Sequence, residues 1–145
     1  MPTSAAAIAG SCLLDTGPLV AYLSSSDDEH ARCDAVFATL RGGELFATEA
    51  VLTEAMHFLR RCAGGHAACL DFFTSGGAVL VPMTTSRLER AAALVARYAD
   101  VPMDFADATL VALADELGVG RVLTLDRRGF SAYRWRRSRR FTLLP

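Results

Sequence analysis

Cys12-Leu13-Leu14-Asp15-Thr16-Gly17-Pro18 is the stretch from which the fold is read. A short apolar run closed by Asp-Thr-Gly-Pro reads as a buried strand that turns directly into a helix. Leu19 to Ser24 continues helically, and Ser25-Ser26-Asp27-Asp28 breaks it. Beyond the break, Cys33, Val36, Phe37 and Leu40 follow i, i+3, i+4, i+7, the face of an amphipathic helix stopped by Gly42-Gly43. Leu45-Phe46-Ala47 is a second brief strand. Leu52, Ala55, Met56 and Leu59 mark the next helix face, from Thr48 to Cys62, ending at Gly64-Gly65. His66 to Thr74 is helical, and Ala78-Val79-Leu80-Val81 is a third strand closed by Pro82. Ser86 and Glu89 form a capping box for a helix through Tyr98. Ala106 to Leu117 is the most regular helix, stopped by Gly118. Arg121 to Leu125 is a fourth strand and Phe141 to Leu144 a fifth. Strands alternating with helices specify an α/β fold, an open parallel sheet with helices on both faces.

The chain has 145 residues, the size of one domain, and 52% of them are apolar, enough for one hydrophobic core. We read residues 1–145 as a single domain with a flexible lead-in over 1–10, which has no basic region of the kind that opens a signal peptide. Apolar runs such as Ala91 to Ala96 fall far short of the roughly 20 residues that span a bilayer. Cys12, Cys33, Cys62 and Cys69 have no Cys-x-x-Cys spacing, so they read as free thiols in a reducing, cytoplasmic setting.

Charge is distributed unevenly. The formal net charge is -1, yet residues 121–140 hold eight arginines and one acid, +7 there and therefore -8 elsewhere. Such a basic stretch on an acidic body suits contact with a polyanion, or a solvated surface. Every basic residue is arginine. The lack of lysine excludes Walker-type phosphate binding and Schiff-base catalysis in their usual forms.

In a doubly wound sheet ligands bind beyond the carboxyl ends of the strands, where strand order reverses. Asp15 ends the first strand and Asp126 the fourth, so neighbouring strands would aim both carboxylates into one crevice; each alone would equally serve as a helix cap. Glu54 stacks with Val51, Ala55 and Phe58 on its helix, an apolar stripe on which a charge calls for a cation or hydrogen bonds. A rim position, or Arg60 or Arg61 as partner, is the plainer account. Asp104 and Asp107, three apart, suit a capping pair, and Asp107 also shares a face with Leu110, Val111 and Ala114. Carboxylates gathered a few ångströms apart require a cation, and hard oxygen donors select Mg²⁺ or Mn²⁺. His30, His57 and His66 lie on separate segments without ligand spacing and read as surface or packing residues.

Four segments, in order, resemble the PIN-domain ribonucleases, and most closely the VapC toxins of bacterial toxin–antitoxin pairs. They are Leu13-Leu14-Asp15-Thr16-Gly17-Pro18-Leu19-Val20, Thr53-Glu54-Ala55, Met103-Asp104-Phe105-Ala106-Asp107-Ala108-Thr109-Leu110-Val111 and Thr124-Leu125-Asp126-Arg127-Arg128-Gly129-Phe130. The resemblance implies a three-layer α/β/α sandwich around a mainly parallel five-stranded sheet, and Mg²⁺- or Mn²⁺-dependent cleavage of RNA. It implies Asp15, Glu54, Asp107 and Asp126 as the acidic core with Asp104 as an accessory acid. Asp15 and Asp107 would make metal contact, and Asp126 would hold a second metal or the attacking water. Thr16 and Thr124 would supply supporting hydroxyls. Arg127, Arg128, Arg134, Arg136, Arg137, Arg139 and Arg140 would track RNA phosphates while Tyr133 and Trp135 stack on bases. A cognate antitoxin and a homodimer are the expected partners, with apolar positions near Val36-Phe37 and Phe58-Leu59 as candidate interfaces. The alternative is a non-catalytic module of the same shape that binds RNA or protein. A haloacid dehalogenase-type phosphatase is disfavoured, because it needs a second Asp where Gly17 stands and a lysine.

Overall fold

The computed structural model describes residues 10–40 and 44–145. The expected lead-in, apart from Gly10, and the Gly42-Gly43 stop lie outside the described residues.

Five short strands form one parallel sheet: β1 (Cys12–Leu14), β2 (Leu45–Thr48), β3 (Val79–Val81), β4 (Arg121–Leu123) and, last in the chain, β7 (Thr142–Leu144), in the order β3-β2-β1-β4-β7. Leu13 pairs with Phe46 on one side and Val122 on the other. The chain therefore builds outward from β1 in one direction through β2 and β3, then returns to build β4 and β7 in the other. That reversal lies between β1 and β4, and it opens the crevice beyond their carboxyl ends. Both strands are buried apolar triplets or nearly so, as a sheet covered on both faces requires.

The helices are α1 (Thr16–Leu23), α2 (His30–Thr39), α3 (Glu49–Phe58), α4 (Gly65–Thr74), α5 (Thr85–Arg97), α6 (Phe105–Leu117) and α7 (Arg127–Ala132). Helix α6 is the centre of the core: every residue from Ala106 to Ala114 is buried. It packs on β1 and β2 and is covered on its far side by α5. Only a strongly apolar, alanine-rich helix can occupy such a place. It ends at Gly118, whose φ of 68° is the left-handed C-terminal geometry that favours glycine.

Three features of the fold differ from those expected. Helix α5 is capped by Thr84, whose hydroxyl accepts from the Arg87 amide at 3.1 Å, and not by Ser86 with Glu89. Thr84, Thr85 and Ser86 are all competent caps, and the extended backbone at Thr84 decides among them. Strand β4 stops at Leu123, so Thr124 and Leu125 belong to the loop that carries Asp126. Arg134–Trp135 (β5) and Arg139–Arg140 (β6) form a separate antiparallel hairpin that the periodicity did not reveal.

Among the described residues all four cysteines are free, with Cys12, Cys33 and Cys69 buried. His30 and His66 bond the carbonyls of Ala21 and Met56, which makes them packing residues as expected. No described helix is long and apolar enough to cross a membrane.

Candidate active site

Asp15, Glu54, Asp104, Asp107 and Asp126 all line one open cleft of about 550 Å³ beyond β1 and β4. Thr16, Gly17, Val20, Asp27, Phe58 and Leu125 complete its wall, and no basic side chain is among them. Five positions separated by up to 111 residues meet there: Asp15, Asp104 and Asp126 cap helices, Asp107 lies in the first turn of α6, and Glu54 projects from the middle of α3.

Asp15 follows β1 and caps α1. One carboxylate oxygen accepts from the Thr16 amide at 2.8 Å and the other from the Thr124 hydroxyl at 2.7 Å. The same Thr124 oxygen accepts from the Asp126 amide at 3.0 Å, so one hydroxyl ties the acids after β1 and β4 together. Asp126 in turn caps α7 by accepting from the Gly129 amide at 3.0 Å. A Cβ on Gly129 would run into the Asp126 carboxylate and stand 3.1 Å from the Tyr133 hydroxyl, so any larger residue there would push the Asp126 side chain out of place.

Asp104 and Asp107 form a reciprocal capping box. The Asp107 amide donates to Asp104 at 2.8 Å, and the Asp104 amide donates to Asp107 at 3.3 Å. Asp104 is exposed while Asp107 is buried. The remaining Asp107 bond comes from Tyr133, whose hydroxyl donates at 3.0 Å. Glu54 is half-buried, between buried Val51 and Ala55 on one side and Phe58, 57% exposed, on the other. The stripe read as core-facing therefore turns outward at Glu54, which sits on the cleft rim.

The electrostatics follow from this crowding. Burial is the main reason the Asp15 carboxyl rises to about 6; the bonds from Thr124 and Thr16 oppose it, and the Glu54 and Asp104 charges add to it. Burial likewise lifts Asp107 to about 7, reinforced by Asp104 and Asp15 and opposed by the Tyr133 bond. Tyr133, buried beside these acids, is pushed well above the usual phenol range. Near neutral pH the cluster carries repulsion that no side chain in the cleft wall neutralises.

A divalent cation fits this donor set, which is all oxygen, acidic and partly desolvated. The Thr16 hydroxyl, buried in the cleft wall, has no hydrogen-bond partner among the described residues and would serve a group held there. Among the described residues, however, no three acidic, histidine or cysteine side chains are drawn together closely enough to hold an ion as they stand. The acids share a cleft but form no finished cage, so side-chain rotations would be needed for three of them to hold one ion.

Two expected site features are corrected. Tyr133 is fully buried and Trp135 nearly so, which removes both as base-stacking surfaces. Tyr133 packs edge-on against Tyr98 and Phe130, and its contribution to the site is the bond to Asp107. Tyr133 stands three residues after Phe130 and seven after Asp126, a helical stripe that places it on the Asp126 side. The partner of its hydroxyl, 26 positions back, leaves no local signal. Asp27, read only as a helix breaker, also lines the cleft.

Of the candidate RNA contacts, Arg127 and Arg128 open α7 immediately after Asp126 and are exposed, although neither lines the cleft, and the Arg127 guanidinium donates to the Pro145 carbonyl. Arg136, Arg137, Arg139 and Arg140 lie on the β5–β6 hairpin, away from the cleft. Among the candidate interface positions, Leu59 is core, Val36 and Phe37 pack against it, and Phe58 alone is widely exposed.

Comparison with known proteins agrees with this geometry. The PIN domain family model matches residues 12–136. Ribonuclease VapC26 of Mycobacterium tuberculosis is 32% identical over 135 residues, covering 92% of this chain and 99% of that protein. The crystal structure of M. tuberculosis VapC20, described as a sarcin–ricin loop cleaving toxin, superposes with a TM-score of 0.68. That match has 23% identity and covers 77% of this chain and 86% of VapC20, which speaks to the fold.

Proposed function

Because the chain belongs to the PIN-domain family, we propose that it is an endoribonuclease, the toxin of a toxin–antitoxin pair, that hydrolyses RNA phosphodiester bonds with a divalent cation. The observation that carries this reading is the gathering of six carboxylates, the five expected acids and Asp27, in one cleft with no basic side chain among the described residues of its wall. A purely structural set of helix caps would have no reason to share a solvent-open crevice at the strand-order reversal.

Asp15 and Asp107 would hold Mg²⁺ or Mn²⁺, with Asp126 and Glu54 completing the set through waters. The cation would supply charge neutralisation at the scissile phosphate and a water of lowered pKa. The chain's own residues orient and tune. Thr124 fixes the rotamer of Asp15 and the loop position of Asp126 together. Tyr133 fixes Asp107 and keeps its negative form accessible. Asp104 sets the first turn of α6, and so the height of Asp107 in the cleft. Arg127 and Arg128, exposed and next in the chain to Asp126, would draw a phosphate backbone toward acids that otherwise repel it.

An antitoxin belongs to the same reading. Beside the acids runs an apolar groove of about 730 Å³, lined by Ala50, His57, Met83 and Phe105, which shares Glu54 and Asp104 with the cleft. That combination supports a partner segment with apolar anchors and a basic residue. Exposed Leu88 and Val95, seven apart on α5, support self-association as a homodimer. The free thiols and the RNA substrate support a cytoplasmic location.

Purified protein is expected to cut RNA with Mg²⁺ or Mn²⁺, to stop with chelator, and to lose activity in Asp15→Asn and Asp107→Asn with the fold intact. RNA binding without cutting, under all metals, would favour the non-catalytic alternative.

A further inference from the structure

The β5–β6 hairpin lies at the end of the sheet opposite the acids. The strands are parallel, the acids follow the carboxyl ends of β1 and β4, and the hairpin packs below the amino end of β4. Trp135 covers Gly120, and the Arg136 guanidinium lies where a Cβ on Gly118 would come within 2.8 Å of it. The Arg136 amide donates to the side chain of Asp115, on the last turn of α6. Asp107 and Asp115 are about eight residues apart on that helix, so at about 1.5 Å per residue the hairpin begins roughly 12 Å from the cleft, and Gly118 lies roughly 16 Å from it.

This surface is organised rather than a loose basic run. Arg136 and Arg137 have φ of 44° and 71°, consecutive left-handed residues that are not glycine. The turn is held open by Asp115, by Arg97 donating to the Arg137 carbonyl at 3.1 Å, and by Trp135 Nε1 donating to the Arg140 carbonyl at 3.1 Å. The guanidinium groups of Arg136 and Arg139 lie 5.6 and 5.1 Å from the Trp135 ring centre, so two cations are stacked on one buried indole. Among the described residues no carboxylate pairs with Arg137, Arg139 or Arg140, and all three are exposed.

We propose that this hairpin is a second RNA contact, which grips the phosphate backbone of substrate lying about 15 Å from the cut. The inference rests on the ribonuclease reading and adds a substrate class to it: folded RNA large enough to reach both ends of α6. A short oligonucleotide seated in the cleft does not touch the hairpin. A phosphate backbone suits the surface better than an acidic protein does. The hairpin's large apolar side chain, Trp135, is buried under the guanidiniums and leaves no exposed apolar centre for a protein interface.

The test compares wild type with the triple variant Arg137→Ala/Arg139→Ala/Arg140→Ala, and with the triple lysine variant that keeps the charge. Binding is measured by anisotropy in the Asp15→Asn background, on a hairpin RNA of about 30 nucleotides and on an oligonucleotide of about 5, across salt; cleavage of both RNAs is measured with Asp15 intact. Three lost phosphate contacts lower the log–log salt slope for the long RNA by about 2–3. The alanine variant is expected to bind the long RNA at least tenfold more weakly, while cleavage of the short one stays within about twofold. The lysine variant is expected to recover most of the loss. Unchanged affinity and salt slope on the long RNA overturn the proposal and leave the hairpin to another acidic partner. Equal losses on both RNAs also overturn it, since the hairpin would then act on the fold or the cleft. Binding that follows the expected pattern with no cleavage of either RNA by wild type would instead refute the nuclease reading.

Discussion

Asp15 and Asp107 are buried in an acidic neighbourhood, and that fixes the sign of their effect on stability. Their carboxyls sit at about 6 and about 7 in the folded chain, above the ordinary 3.8. Between those values the folded state binds more protons than the unfolded one, so stability falls as pH rises. Metal-free protein is therefore expected to lose melting temperature between about pH 4.5 and pH 8, as far as these two groups decide it. Added Mn²⁺ should restore it more at pH 8 than at pH 5; a shift independent of pH would contradict the assignment. Asp15→Asn should abolish cleavage yet melt at or above the wild-type temperature in chelator, because it removes a buried charge. Tyr133→Phe keeps the ring and removes the donor to Asp107. It is expected to cost about 1 kcal/mol of stability and about tenfold or more in Mn²⁺ affinity, measured by calorimetry; unchanged affinity would make Tyr133 a packing residue only. The acids were legible in the sequence because each stands at a strand end, a cap or a conspicuous break in an apolar stripe. Tyr133 was not, since its bond joins residues 26 positions apart.

Elements decide how firmly those residues are aimed. The Asp104–Asp107 box reads directly from its i, i+3 spacing, and both reciprocal bonds form. Short α7 is aimed by Asp126 capping the Gly129 amide, with Phe130 and Tyr133 buried beneath. Gly129→Ala forces the Asp126 carboxylate to move; it should lower activity at least tenfold, on the scale of a displaced supporting group. Wild-type turnover in that variant would show that the position of Asp126 is not critical. The β5–β6 hairpin escaped the sequence because its strands are two residues each, with no alternation, and its turn uses arginines where glycine or asparagine is usual. Its geometry is imposed by Asp115 and Trp135, which are tertiary contacts. The cap of α5 was misplaced for a smaller reason, three adjacent hydroxyl residues with equal local claims.

At the scale of the whole molecule, the strand order β3-β2-β1-β4-β7 makes the cleft, because it sets β1 beside β4 and reverses between them. Alternating apolar strands and helices conveyed the parallel sheet, and the four matching segments conveyed its family; the order of strands came from the structure. Acidic cleft and arginine hairpin occupy opposite ends of α6, which accounts for a chain that is nearly neutral in sum and strongly divided in place. The most direct test is to titrate Mn²⁺ into one preparation while following heat of binding and RNA cleavage together, in wild type and in Asp107→Asn. The account expects cleavage to rise along the binding curve in wild type, and both signals to be lost in the variant. Cleavage that persists in chelator, or binding and cutting that survive in Asp107→Asn, would contradict it.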